Sequence, residues 1–173
     1  MFSALAGTLL AGTLGHSSRA LAGGMIAIVF GSGVAFTLAT TSWAPRRHLA
    51  SGMASLVLGL ALVVLAAWTP SLTLFIVGGA VVGAGAGAIF KGSLGTVIAV
   101  ADPESRAEAV AGLFLAGYIG LSVPVIALGV ALQELSAKVA LLGFASLAAA
   151  GIVAASRPLL GRARPARLAL DRA

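Results

Sequence analysis

Charged side chains are rare in this chain, and they fall in short clusters separated by long uncharged stretches. The 173 residues include 11 Lys and Arg and 5 Asp and Glu. Four intervals contain no Asp, Glu, Lys or Arg: Arg19 to Arg46, Arg47 to Lys91, Glu108 to Glu134, and Lys138 to Arg157. A helix needs roughly 20 apolar residues to cross a bilayer, and one ionised side chain at its centre costs about 2.5 to 3.5 kcal/mol. The charge map therefore predicts helices that cross a membrane.

The composition excludes an ordinary soluble domain. Hydrophobic residues make up 60% of the chain and charged residues only 9%, too few to cover the surface of a soluble fold. The 23 glycines suit membrane helices, which use small residues to approach one another in lipid. Cysteine is absent, so disulfides and thiolate chemistry play no part.

Charges and helix breakers divide the chain into an all-α, polytopic membrane helix bundle with five full transmembrane helices and a partial first one. The spans are predicted at 1–15 (partial), 21–43, 49–67, 72–100, 103–132 and 139–156. The first is partial because 15 residues at about 1.5 Å each fall short of a core of about 30 Å. Asp102 and Pro103 are predicted as the N-cap and first residue of the fifth helix. The bundle occupies 1–157, and a basic tail occupies 158–173.

The positive residues predict the orientation of the bundle. If the turns at 44–48 and 91–106 share one side with the tail, nine Lys and Arg lie there and two on the other side. Because positive loops remain in the cytoplasm, that side is predicted to be cytoplasmic, with Arg46 and Arg47 in one of its loops. The chain is expected in the plasma or inner membrane, with its C-terminus in the cytoplasm.

Rows of small residues mark two of the spans. In the fourth span Gly79, Gly83 and Gly87 are spaced by four, and in the fifth Gly112 and Gly120 form a similar row. These rows predict close helix contacts. Pro124 is predicted to kink the fifth helix, since proline lacks the backbone donor.

Lys91 and Glu108 are the two ionisable residues whose depth in the membrane decides their role. If the fourth helix enters the bilayer at Leu72, Lys91 lies about 29 Å further along and its ammonium reaches the interface. If that helix tilts or begins deeper, Lys91 needs a partner such as Glu108. Glu108 has its own simpler explanation, as an acid exposed near the start of a helix.

Three segments together resemble a known family. They are GAGAGAIFKG from Gly83, DPESRAEAVAG from Asp102 and YIGLSVPVIALG from Tyr118. These segments look like the tenth and eleventh helices of a major facilitator superfamily (MFS) transporter and the loop between them. The Arg46-Arg47 turn looks like that family's basic loop between helices eight and nine, although Ser42 and Pro45 replace its Asp and Gly. The resemblance covers nearly the whole chain, as the C-terminal half of such a transporter.

The resemblance implies secondary active transport of a small solute. It also implies which residues line the path: Thr37, Thr40, Thr41, Phe90, Lys91, Glu108, Phe114, Tyr118 and Ser122. For each Ser or Thr the alternative is a hydrogen bond to its own helix, and for Phe114 and Tyr118 it is packing. No cofactor or metal is expected, while coupling to protons or another ion stays open.

The resemblance also implies a missing partner, because family members bind solute between two six-helix halves. The chain is expected to be a truncated fragment not competent alone, or to join an N-terminal half or a second copy. The alternative function is a non-transporting module that assembles membrane helices through its glycine rows. An enzyme is not expected, since there is no HExxH motif and His16 and His48 lie in separate turns. The basic tail is expected to meet lipid headgroups of the bilayer rather than nucleic acid.

Overall fold

The computed structural model describes residues 19–161, which form five helices and no strand. The helices are α1 Arg19–Ala39, α2 Pro45–Trp68, α3 Leu72–Val100, α4 Arg106–Glu134 and α5 Ala137–Gly161. The partial span predicted at 1–15 and most of the predicted tail lie outside the described residues. Within them the all-α architecture is confirmed.

Four segments are long and apolar enough to cross a membrane. They are Pro45–Trp68, Leu72–Val100, Arg106–Glu134 and Lys138–Ser156, with mean hydropathies of 2.0 to 2.3. In α1 the apolar part, Gly23–Ala39, is shorter. The described chain is therefore a membrane-embedded, multi-pass helix bundle.

The turn between α1 and α2 lies four residues earlier than predicted, at 40–44 rather than 44–48. α1 ends at Ala39, four residues before the predicted end of its span, and the Trp43 amide donates to the Thr40 carbonyl at 3.1 Å. α2 begins at Pro45, because proline at the first helical position sacrifices no internal hydrogen bond. Arg46 and Arg47 therefore lie in the first turn of a helix rather than in a loop.

Two further boundaries differ from the prediction. Residues 102–105 form a turn in which the Ser105 amide donates to the Asp102 carbonyl at 3.1 Å. Asp102 is therefore not the N-cap of α4, which begins at Arg106 after Ser105. α5 continues to Gly161, so the boundary predicted at 157 falls inside a helix.

The tightest helix pair is α2 with α3, which run antiparallel and meet through glycines. Gly52 and Gly59 on α2 face Gly78, Gly85 and Gly92 on α3, and all five are buried. A β-carbon added to Gly59 would lie 2.7 Å from the Val82 amide nitrogen, and one added to Gly85 would lie 2.9 Å from the Gly52 carbonyl oxygen. At these contacts one helix backbone therefore lies directly against the other.

α1 and α3 run parallel, and a second glycine face of α3 forms their contact. A β-carbon on Gly87 would lie 2.7 Å from the Gly33 carbonyl oxygen, and one on Gly83 would collide with the Val29 carbonyl. The predicted Gly83 and Gly87 thus contact α1. Gly79, the third member of their row, is buried.

α4 and α5 join the bundle through a shared apolar core. A core around Ala66, Phe75, Leu128 and Leu141 joins α2, α3, α4 and α5 near the 69–71 and 135–136 turns. Among the described residues of α4, only Leu128 is buried.

The small-residue row predicted in α4 has no helix against it in the part of the chain that the structure describes. A β-carbon added to Gly112 or Gly120 would have no described neighbour within 4 Å, which corrects their assignment as packing residues there. Pro124 lies inside the unbroken helix Arg106–Glu134.

Candidate functional site

A groove runs between α1 and α3 on the outer side of their glycine contact. Its volume is about 350 Å³, and it is lined by Val29, Phe30, Gly33, Val34, Thr37, Gly83, Ala86, Gly87 and Phe90. The glycines form its floor because they bring the two backbones together. Phe30, Val34 and Phe90 expose about half or more of their surface beside it. The groove is thus almost wholly apolar along its length.

Lys91 lies at the end of the groove. Its Nζ donates a hydrogen bond of 2.6 Å to the Thr37 carbonyl oxygen, and Thr37 also lines the groove. The carbonyls in the last turn of a helix lack partners within it and carry the negative end of the helix dipole. Half-buried Lys91 therefore acts as a cap for the C-terminus of α1, joining residues 54 positions apart.

The contacts beside Lys91 indicate its depth. From Leu72 to Lys91 the helix rises about 29 Å, close to the thickness of a bilayer core. A β-carbon added to the next residue, Gly92, would lie 2.9 Å from the Pro45 carbonyl oxygen, at the start of α2. Lys91 therefore lies level with the 40–44 turn, at one end of a layer of membrane thickness. This geometry favours the interfacial explanation for Lys91.

The ion pair considered between Lys91 and Glu108 is not formed. The Phe90 and Phe114 rings meet edge to face at 5.7 Å, and this contact sets the register of α3 against α4. Glu108 lies six residues before Phe114, so it is about 7 Å further than Lys91 toward the 101–105 turn. It is exposed in the first turn of α4.

The structure brings four predicted path residues together and separates the rest. Thr37, Phe90, Lys91 and Phe114 lie in or beside the groove. The others lie apart from it: Thr40 is buried, and Thr41, Glu108, Tyr118 and Ser122 are exposed.

The hydroxyls of two predicted path threonines bond to their own helix or the turn that follows it. Thr37 Oγ1 donates to the Val34 carbonyl at 2.8 Å, and Thr40 Oγ1 donates to the Phe36 carbonyl at 2.6 Å. The alternative explanation of a local hydrogen bond therefore describes both hydroxyls. Thr37 contacts Lys91 through its backbone carbonyl and not through its hydroxyl.

An aromatic cluster around the buried His48 lies at the same end of the helices and was not predicted. His48 was placed in a turn, yet its side chain is only 1% exposed and its ring packs 5.8 Å from that of Trp43. Phe36 meets Trp43 edge to face, and the Arg47 guanidinium carbon lies 4.3 Å from the Trp43 ring centroid. Neither ring nitrogen of His48 has a hydrogen-bond partner among residues 19–161. The Arg-Arg-His sequence suggested solvent exposure and gave no sign of this burial.

No metal site is found among the described residues. Among residues 19–161 no three His, Asp or Glu side chains lie close enough to hold a metal ion.

Comparisons with protein-family models, curated proteins and solved structures found no match to this chain. The candidate functional site is the groove with Lys91 at its end.

Proposed function

We propose that this chain takes part in secondary active transport of a small solute across a membrane, as the C-terminal half of an MFS-like transporter. The observation that carries the proposal is the groove between α1 and α3, which ends at Lys91. Ligand sites are typically concave and mostly apolar, with a few polar groups that orient the ligand. The groove has this character.

The resemblance of the Gly83, Asp102 and Tyr118 segments to MFS helices supports the same function. The groove is open, so one wall of a closed site must come from elsewhere. The partner that supplies this wall can pack against the exposed apolar surface of α4, which includes Tyr118 at 67% exposure. An N-terminal transporter half or a second copy of the chain is the proposed partner, and an ion gradient is the proposed driving force.

The test fills the groove without disturbing the helix contacts. Ala86 lines the groove and is exposed, so Ala86→Leu adds bulk where solute is proposed to bind. Ala61→Leu is the matched control, because Ala61 is exposed on α2 outside the groove. Right-side-out and inverted vesicles that carry the full natural polypeptide would be loaded with a panel of small fluorescent solutes.

We expect gradient-dependent movement of at least one solute, abolished by Ala86→Leu and retained by Ala61→Leu. Equal transport by both variants would remove the groove from the path. Absence of gradient-dependent movement with every solute would count against transport.

The glycine contacts favour a second candidate, a non-transporting module that assembles membrane helices. Three helices meet backbone to backbone at Gly33, Gly59 and Gly87, which is what such a module requires. Ala86→Leu separates the two functions, since an assembly module needs its glycine faces and not the open groove. Unchanged complex formation with lost transport supports the transporter.

A further inference from the structure

We propose that the groove takes an amphipathic anion, a small solute with an apolar body and a carboxylate that binds the ammonium of Lys91. This inference deepens the proposed function and rests on it, since it names the class of solute for the same groove. It is carried by the charges around the groove, the free donors of Lys91 and the apolar walls.

The two helices that form the groove, α1 and α3, and the adjoining α2 carry cations and no acids. The sequence contains no Asp or Glu before Asp102, so α1, α2 and α3 provide no carboxylate. Arg46 and Arg47 begin α2 at the same end of the bundle as Lys91. Low-dielectric walls focus such a field, which attracts anions and repels cations. A cationic solute would find no counter-charge on the three helices.

Lys91 retains the capacity to bind a carboxylate. An ammonium has three N–H donors, and the hydrogen bond to the Thr37 carbonyl uses one of them. Charge-assisted bonds from the remaining donors to a carboxylate are short and strong. Since no carboxylate among the described residues pairs with Lys91, an anionic solute would supply the missing counter-charge.

The rest of the groove suits the apolar body of the solute. From Val29 to Thr37 it extends about 12 Å along α1. Phe30, Val34 and Phe90 offer exposed apolar surface along this length, and Ala86 leaves space between them. An aryl or medium-chain carboxylate would place its body here and its charge at Lys91.

The experiment compares three probes that share one aromatic body. The full-length protein in phosphatidylcholine nanodiscs would be titrated with 2-naphthylacetate, the neutral 2-naphthylacetamide and the cationic 2-naphthylethylamine, with empty nanodiscs as the blank. We expect the acid to bind about tenfold more tightly than the amide, the size of one hydrogen bond to a charged group. The amine should bind most weakly.

Variants assign this preference to Lys91. Lys91→Met should reduce the difference between acid and amide to within about twofold, whereas Lys91→Arg should keep the preference. Lys138→Met is the matched control, because Lys138 begins α5 at the opposite end of the bundle. If Lys91→Met fails to fold, Ala86→Glu serves instead: an acid in the groove should weaken acid binding and strengthen amine binding.

The outcomes separate this inference from the proposed function. Equal binding of acid and amide, reduced by Ala86→Leu, would overturn the anionic class and leave the groove as a solute site. A preference that survives Lys91→Met would also overturn it. Binding of none of the probes above the blank would count against the groove as a solute site and so against the proposed function.

Discussion

At the level of single residues, His48 is a polar group that the surrounding structure does not satisfy. Its ring is buried against Trp43, and both nitrogens lack partners within the described chain. Each unsatisfied buried donor or acceptor costs about 1 to 3 kcal/mol. His48 therefore opposes the stability of this conformation even though its ring fills space in it.

The first prediction concerns His48. His48→Leu keeps an apolar side chain against Trp43 and removes both unsatisfied nitrogens, so we expect the free energy of unfolding to rise by about 1 to 3 kcal/mol. Unfolding of the protein in mixed micelles, followed by tryptophan fluorescence, would measure the change. His48→Asn is the control, since it remains polar and should give no gain. A less stable His48→Leu protein would mean that the imidazole has a partner.

Lys91 shows how far the sequence can predict a side chain's role. Its distance along the helix from Leu72 predicted its level, because the rise of a helix is constant. Its partner could not be predicted, since the Thr37 carbonyl is a backbone group that has no sequence signal. Glu108 was the partner that side-chain chemistry suggested. The register between α3 and α4 places that acid too far along its helix.

At the level of helices, glycine positions decide which faces meet. The spacing of four identified Gly83 and Gly87, which contact α1. The tighter interface, between α3 and α2, uses Gly78, Gly85 and Gly92, which are spaced by seven along α3. The glycines spaced by four did not indicate this pattern. The same spacing in Gly112 and Gly120 led to no contact among the described residues, because a small residue permits a close approach without requiring one.

The second prediction tests these contacts with one chemical change at two sites. Gly59→Ala places a methyl group 2.7 Å from the Val82 amide nitrogen, so we expect a loss of about 1 to 3 kcal/mol in the free energy of unfolding. Gly120→Ala, which meets no described neighbour, should be neutral or stabilising by about 1 kcal/mol through helix propensity. Equal effects at both sites, measured by unfolding in micelles, would contradict the backbone contact.

The third prediction concerns the caps of α3 and α4. The Ser71 hydroxyl accepts a hydrogen bond from the Leu74 amide at 3.3 Å, whereas the Ser105 side chain makes no such bond to α4. We expect Ser71→Ala to lower the free energy of unfolding by about 1 kcal/mol. Ser105→Ala should change it by much less. The thermal unfolding midpoints of the two variants, measured in the same detergent, test this prediction. Equal decreases in both midpoints would contradict it.

At the level of the whole molecule, the two ends of the bundle differ in chemistry. Arg46, Arg47 and Lys91 lie at one end, whereas the buried core around Phe75 and Leu141 lies near the other. The charge pattern predicted that Arg46, Arg47 and Lys91 share one end, because successive turns alternate between the two ends of the bundle. Which end faces the cytoplasm stays a prediction from the positive residues.

The fourth prediction tests the sidedness. The chain has no cysteine, so a single introduced one reports without background. Thr41→Cys and Ser136→Cys lie in exposed turns at opposite ends of the bundle. In intact cells a membrane-impermeant maleimide should label Ser136→Cys and spare Thr41→Cys, and inverted vesicles should reverse the pattern. Labelling of both from one side would contradict an odd number of crossings between them.

The backbone contacts of α3 have a mechanical consequence. Where glycine places one backbone directly on another, few side-chain atoms lie between the helices to absorb a sliding movement. α1 and α2 are both held to α3 in this way, at Gly33 and at Gly59. We therefore expect the three helices to move as one unit. If the proposed transport takes place, we expect the three helices to move together against α4, across the contact between the Phe90 and Phe114 rings.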